Sequence, residues 1–439
     1  FYLFVFSLTL FLSGVEVILT EDYFGSFLFL FSVFLCLFVF FYVDSSLGSV
    51  FLCAFIVKFV LFSFFLKLFF FESVVSYMKA PSVTPLVVFC ISIVSFFSFF
   101  LYKAFFGRLK GVFDLNLDGY DLKFISFFFI FFGLVFQILH SIYSPVLLDG
   151  NQGEGFGGFG SLVSIGYLGL IIYIYRQKIS GAEYLIFDWF LVFVIGSYIF
   201  VSVISNTKYE MITAIMSIVL SCYFFGLKVR AKHLFQGVGT IFFMVIVVSP
   251  LVHETRTLEF RLAGGDKKIN ILLNSIGPSN KMLEGTISIR EEYLPIKGHM
   301  IDRFDILSET DLVLSGIERT GFVGNYPLLD GFEKVLPGFL VANKSNVAVT
   351  DKIMWDIREK PRGIISRITI GFPSSLYAIN GFVSLVFYSS LVIVFFIFLL
   401  SFLVGSDLNN NVLGVFFITK YLLFFTEKTF EGLLVLLLR

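Results

Sequence analysis

Runs of roughly 17 to 25 predominantly apolar residues, each long enough to cross a bilayer, recur along the chain and limit its fold more than any other feature. In hydrocarbon, backbone N–H and C=O groups must be satisfied inside the protein, so such runs are expected to fold as helices. Windows of this kind fall near 1–20, 24–43, 47–71, 84–102, 122–142, 160–176, 183–204, 209–226, 235–251, 376–404 and 411–426. A twelfth apolar stretch begins near Thr429 and stops at Arg439, too short to span, and the chain opens on Phe1 instead of Met, which together predict trimmed ends. Residues 1–20 lack a basic n-region and a small-residue cleavage site and are expected to be a retained first helix. The expected fold class is an all-α polytopic membrane protein with about 11 to 12 transmembrane helices and one large external loop domain.

Composition agrees. Hydrophobic residues make up 57% of the 439 and charged residues only 15%, with 64 Phe against 2 Trp, which excludes an ordinary soluble or disordered chain. The formal net charge is zero, so no basic surface for nucleic acid is expected. Cys36, Cys53, Cys90 and Cys222 all lie in apolar runs, where they read as small lipid- or core-facing side chains and not as a disulfide or metal framework.

Orientation follows from Lys and Arg in the short loops. Placing the N-terminus in the cytoplasm puts Lys103, Arg108, Lys110, Lys123, Arg176, Lys178, Lys228, Arg230 and Lys232 inside, against Lys79, Lys208 and Lys428 outside, as the positive-inside rule requires. Residues 252–375 then lie outside, between helices 1–9 (residues 1–251) and the C-terminal helices (376–439). This segment holds 16 of the 32 basic and 16 of the 32 acidic residues, so a folded external domain or a lid of amphipathic helices is expected. Within it, Met300, Phe304, Leu307, Leu312 and Val313 have the spacing of a helix lying on the bundle over 299–316.

Charged and polar residues inside apolar runs are the informative exceptions. Glu16, Lys67, Gln137, His140, Lys208, Glu210 and Lys420 fall in or near the outward halves of their spans, and Lys58 near the middle of one. Two readings stand: the residues snorkel to the interface, or they line a polar cavity open to the outside and sealed from the cytoplasm by phenylalanine. A cavity of that kind suits chemistry on a lipid-linked substrate whose pyrophosphate is held by ammonium and guanidinium groups.

Several motifs are set aside. Gly153, Gly155 and Gly158 form a GxGxxG, but it follows an apolar run instead of a strand and reads as a loop. Asp118 and Asp121 form a DxxD beside Arg108 and Lys110 and read as a solvated interfacial face. There is no Walker loop, HExxH or GxSxG, and the four His residues do not cluster as zinc ligands.

Four segments carry a resemblance. Ser205 to Glu210 (SNTKYE) opens one span with a small-residue turn ending in Lys208. Arg303 to Leu307 (RFDIL) precedes Val335 to Leu340 (VLPGFL) and Lys344. Ser374 to Gly381 (SSLYAING) leads into the late span, and Thr419-Lys420 is followed by Glu427. In their order, over roughly residues 200–430, these segments resemble the Wzy-type O-antigen and exopolysaccharide repeat-unit polymerases. Gly338 and Leu376 depart from the pattern, where many members have Arg and Glu, which leaves a related lipid-linked glycan ligase open.

The resemblance implies a fold related to C-type glycosyltransferases, a glycosyl transfer between undecaprenyl-pyrophosphate-linked oligosaccharides at the periplasmic face of the bacterial inner membrane, and no metal or other cofactor. Membrane lipid and a separate chain-length regulator are further candidate partners. The developing pyrophosphate charge calls for fixed cations: Lys208, Arg256, Arg261 and Lys420 come first, with Arg303, Lys344 and Arg367 behind them. The acceptor hydroxyl calls for a general base, for which His253, Glu254 and Glu210 are the candidates. The rivals are the ligase and a transporter for the same lipid-linked sugar.

Overall fold

The computed structural model describes residues 23–41, 44–57, 78–113, 121–143, 162–204, 209–230, 307–335, 349–359 and 370–427, with isolated positions between them. The described residues form helices α1 (Tyr23–Phe41), α2 (Leu47–Ile56), α3 (Thr84–Phe105), α4 (Leu122–Tyr143), α5 (Ile165–Ile179), α6 (Trp189–Ile204), α7 (Tyr209–Phe224), α8 (Leu307–Thr320), α9 (Tyr326–Val335), α10 (Val349–Asp356), α11 (Phe372–Val404) and α12 (Val412–Glu427). No strand forms among them, only two isolated β-bridges. The chain is therefore all-α over these residues. Thr84–Phe105, Leu122–Leu139 and Phe372–Val404 are each long and apolar enough to cross a membrane, and shorter apolar helices accompany them. The expected helices at 1–20 and 235–251 lie outside the described residues.

The apolar content is distributed inside out. On α11, Val383, Phe387, Leu391, Phe395 and Phe402 are exposed along one face, while Ser384, Ser389 and Ser401 are buried with Phe396 and Ile397. On α7, Thr213, Ser217 and Ser221 form a buried row at a spacing of four, and Val219 and Tyr223 face out. Hydroxyls return their protons to the preceding turn: Ser92 to Val88 O (3.1 Å), Ser95 to Ile91 O (2.8 Å) and Ser217 to Thr213 O (2.8 Å). Small side chains inside let helices approach closely, which is how helices associate in lipid. In water the outward rows would be a large apolar patch.

Two compact units divide the chain, the first comprising Phe1–Val112, Phe304–Asp407 and Tyr421–Arg439, the second Phe113–Arg303 and Leu408–Lys420. In the first, α3 is the central helix and packs on α1, α2, α8 and α11. Phe51 meets Phe396 with ring centroids 4.9 Å apart, and a Cβ on Gly48 would lie 2.6 Å from the side chains of Tyr102 and Ile397, so side chains of α3 and α11 press onto the α2 backbone there. In the second unit, α4 and α5 cross backbone to backbone. A Cβ on Gly169 would sit 2.8 Å from Ile130 N and Ser126 O, and one on Gly133 would strike the backbone of Gly166.

The expected helix at 299–316 is present from Leu307 and continues to Thr320, and residues 299–306 lie outside the described set. It runs on because Ile317 extends the buried face of Val313 and Leu314, and it stops at Gly321, whose φ of +87° is left-handed. The late span begins at Phe372, before the expected 376, since Pro373 is tolerated in a first helical turn.

Candidate functional site

The most specific polar construction among the described residues lies where α8 meets the head of α11, inside the first unit. Helix α11 breaks after about two turns: Asn380 (φ −156°, ψ 41°) and Gly381 (φ 64°, ψ −144°) leave the helical region. The cause is a hydroxyl inserted into the ladder. Asn380 N–H donates to Ser384 Oγ (2.9 Å), and Ser384 Oγ–H is shared between Leu376 O (2.8 Å) and Gly381 O (3.0 Å). An ordinary helix would join Asn380 N–H to Leu376 O directly, and insertion of a side chain between them is a recognised origin of a kink.

The segment after α8 covers this break. Val323 N–H donates to Ala378 O (2.9 Å), and the Phe322 ring lies edge-on to Tyr377 (centroids 6.0 Å apart), which in turn meets Phe382 (5.2 Å). A Cβ on Gly381 would lie 2.9 Å from the tip of Phe322, so both the positive φ and the ring require glycine. Thr310 and Ser374 share a buried hydroxyl–hydroxyl bond of 2.8 Å.

Asp311 ties the same helix to α3. Its carboxylate is fully buried and accepts from Lys79 N–H (2.7 Å), Ala80 N–H (2.9 Å) and Thr84 Oγ1 (3.0 Å), so it satisfies donors of the turn leading into α3 from more than 200 residues away. Beyond the break, Arg319 pairs with Glu359 and Lys352 with Asp330, which fastens the α8–α10 layer. Asn380 at the break, Glu318 in the last turn of α8 and Phe322 just after that helix are left exposed, an amide, a carboxylate and a ring. Such a set can hydrogen-bond and stack on a polar ligand.

Of the residues singled out from sequence, Lys208, His253, Glu254, Arg256, Arg261, Arg303, Lys344 and Arg367 lie outside the described residues. Glu210 is the second residue of α7. Lys420 is half-buried on α12, within the second unit, with Nζ 3.4 Å from Ser164 Oγ. Of the DxxD pair, Asp118 is outside the described set, while Asp121 caps α4, accepting from Lys123 N–H (3.0 Å) and Phe124 N–H (3.2 Å). The glycines at 153–160 are outside it too. Cys36, Cys53 and Cys222 are buried, Cys90 half-buried, and all four are unbonded thiols. No group of three His, Cys, Asp or Glu able to hold a metal occurs among the described residues.

Asp311, Ser384 and Phe322 were not legible as functional positions. A signal existed for one of them, since Asp311 shares the helical spacing of Leu307 and Leu314, where a carboxylate needs a buried partner, and for the break itself, since Asn380-Gly381 is a turn pair inside an apolar run. No protein-family model matches the chain, and neither a curated protein nor a solved structure is similar to it.

Proposed function

We propose that this chain is a membrane-embedded glycosyltransferase that polymerises undecaprenyl-pyrophosphate-linked oligosaccharide repeat units at the periplasmic face of a bacterial inner membrane. The fold that goes with this reading has about 11 to 12 spans, each of bilayer length, a cytoplasmic N-terminus and a C-type glycosyltransferase relationship. The observation that carries it is the broken head of α11: the 374–381 segment, one of those that resemble the polymerases, holds irregular backbone covered by residues 307–323. Backbone of that kind at membrane depth is tolerated where it is buried in protein or lines a cavity. The outward apolar faces of α4 and α11 suit hydrocarbon.

In this mechanism an acceptor sugar hydroxyl attacks the anomeric carbon of the donor, the bond to the lipid pyrophosphate breaks, and the pyrophosphate leaves with the electron pair. Lys208, Arg256, Arg261 and Lys420 stabilise that charge, aided by Arg303, Lys344 and Arg367. His253, Glu254 or Glu210 takes the hydroxyl proton.

A broken helix is also how transporters present backbone groups to a ligand, so movement of the same lipid-linked sugar across the bilayer is the second reading. Purified full chain given a single lipid-linked repeat unit separates them. A ladder of longer products on a gel, shortened by Arg256→Ala at equal protein level, is expected. No ladder, with sugar transfer across a proteoliposome bilayer instead, overturns the polymerase reading in favour of transport.

A further inference from the structure

The second unit carries at one end a stapled loop pair that no part of the proposed chemistry uses. Residues 180–188, between α5 and α6, and 225–230, after α7, are joined by Leu185 N–H to Lys228 O (2.9 Å) and Lys228 N–H to Glu183 O (2.9 Å). Gln177 clamps the first loop from both sides, accepting from Ile186 N–H (2.9 Å) and donating to Ile186 O (3.1 Å). Asp188 closes it by accepting from Tyr173 Oη–H and from Leu191 N–H (3.0 Å). The loops are thus held in shape by bonds that are independent of their exposed side chains.

Two kinds of group project from this frame. Arg230 and Lys228 lie over the Tyr184 ring, at 5.2 and 5.9 Å from its centroid, and the Lys178 ammonium lies 3.8 Å from the place of a Cβ on Gly226. Five cations, Arg176, Lys178, Lys228, Arg230 and Lys232, face two carboxylates there. Glu183 is engaged by Lys228 and Asp188 by the loop itself, and Arg176, Lys178, Arg230 and Lys232 form no ion pair among the described residues. Interleaved with the cations are exposed apolar groups: Trp189 is 87% exposed, with Ile179, Ile186 and Val229 also facing out.

Surplus cations beside an exposed indole and aliphatic side chains match a partner that offers phosphate and hydrocarbon at adjacent depths. We propose that this basic-aromatic collar is a binding site for acidic phospholipid head groups, with Arg230 and Lys232 on the phosphate and Trp189 and Ile186 in the acyl boundary. A soluble anion would use the cations and leave the apolar groups without purpose. The inference rests on neither the polymerase nor the transport reading, because it requires only that this unit meet a bilayer.

The test uses the purified full chain in detergent and measures uptake of phosphatidylglycerol, with phosphatidylcholine as the neutral arm and water-soluble glycerol phosphate as competitor. Preferential uptake of phosphatidylglycerol is expected, poorly competed by glycerol phosphate. Arg230→Gln with Lys232→Gln should weaken it by about thirtyfold, at the strength usual for two juxtamembrane cations, and Arg230→Lys should retain it. Lys178→Gln with Lys232→Gln leaves the Tyr184 stack in place, which separates lipid binding from folding, and should give a similar loss. Equal uptake of both lipids, an unchanged affinity in both double variants, or full competition by glycerol phosphate overturns the proposal.

Discussion

Asp44, between α1 and α2, shows what a single charged side chain contributes. Burial raises its carboxyl, but the Lys103 ammonium, the Ser46 and Ser49 hydroxyls and the Ser46 backbone N–H outweigh that and hold it at about 2. An unfolded aspartate titrates near 4, so the folded state gains from the ionised form above roughly pH 4 and loses the gain as pH falls towards 2. Asp44→Asn should therefore lower the melting temperature by a constant amount at neutral pH, and the gap from wild type should close between about pH 4 and pH 2. A gap that is flat across that range would remove Asp44 from the acid response. Lys103 was legible from sequence only as one of the positive charges expected on the cytoplasmic side. Its partner lies 59 residues away, and no local pattern joins the two.

At the scale of the element, apolar periodicity and length were legible and the interruptions were not. The helices 84–105, 122–143, 209–224 and 412–427 fall within a few residues of their windows because burial of a continuous apolar run needs nothing beyond the run itself. The break in α11 depends instead on Ser384, one serine among several in the span. Ser384→Ala deprives Leu376 O and Asn380 N–H of their bridge and should cost about 2 kcal/mol. Ser390→Ala, whose hydroxyl only returns to Val386 O on an exposed face, should stay within about 0.5 kcal/mol. Chemical denaturation in detergent compares the two, and equal losses would deny the bridge its role. The α4–α5 crossing was equally hidden: Gly133, Gly166 and Gly169 read in sequence as unremarkable small residues until two backbones are seen to meet on them.

At the scale of the whole molecule, the charged segment expected to be a folded external domain or a lid of amphipathic helices begins, where it is described, as a layer of helices docked on long apolar helices of its own unit. Helix α8 packs on α3 and α11, and Asp311 is its anchor. Asp311→Ala would leave Lys79 N–H, Ala80 N–H and Thr84 Oγ1 without that acceptor and should cost about 3 kcal/mol. Protease cleavage within 307–335 should rise in step, whereas Asp311→Asn, which keeps one acceptor oxygen, should lie between. Cleavage unchanged in the alanine variant would show that apolar packing alone holds the layer.

The sequence by itself determined which stretches become long apolar helices and where charge collects, because both follow from free energies summed over neighbouring residues. The Asp311 clamp, the glycine crossing and the cover that Phe322 and Val323 place over the Asn380–Gly381 break were decided only by the tertiary structure. Each is a polar or steric need of one segment met by another across tens or hundreds of residues, and a local pattern carries no record of which distant group will be in reach.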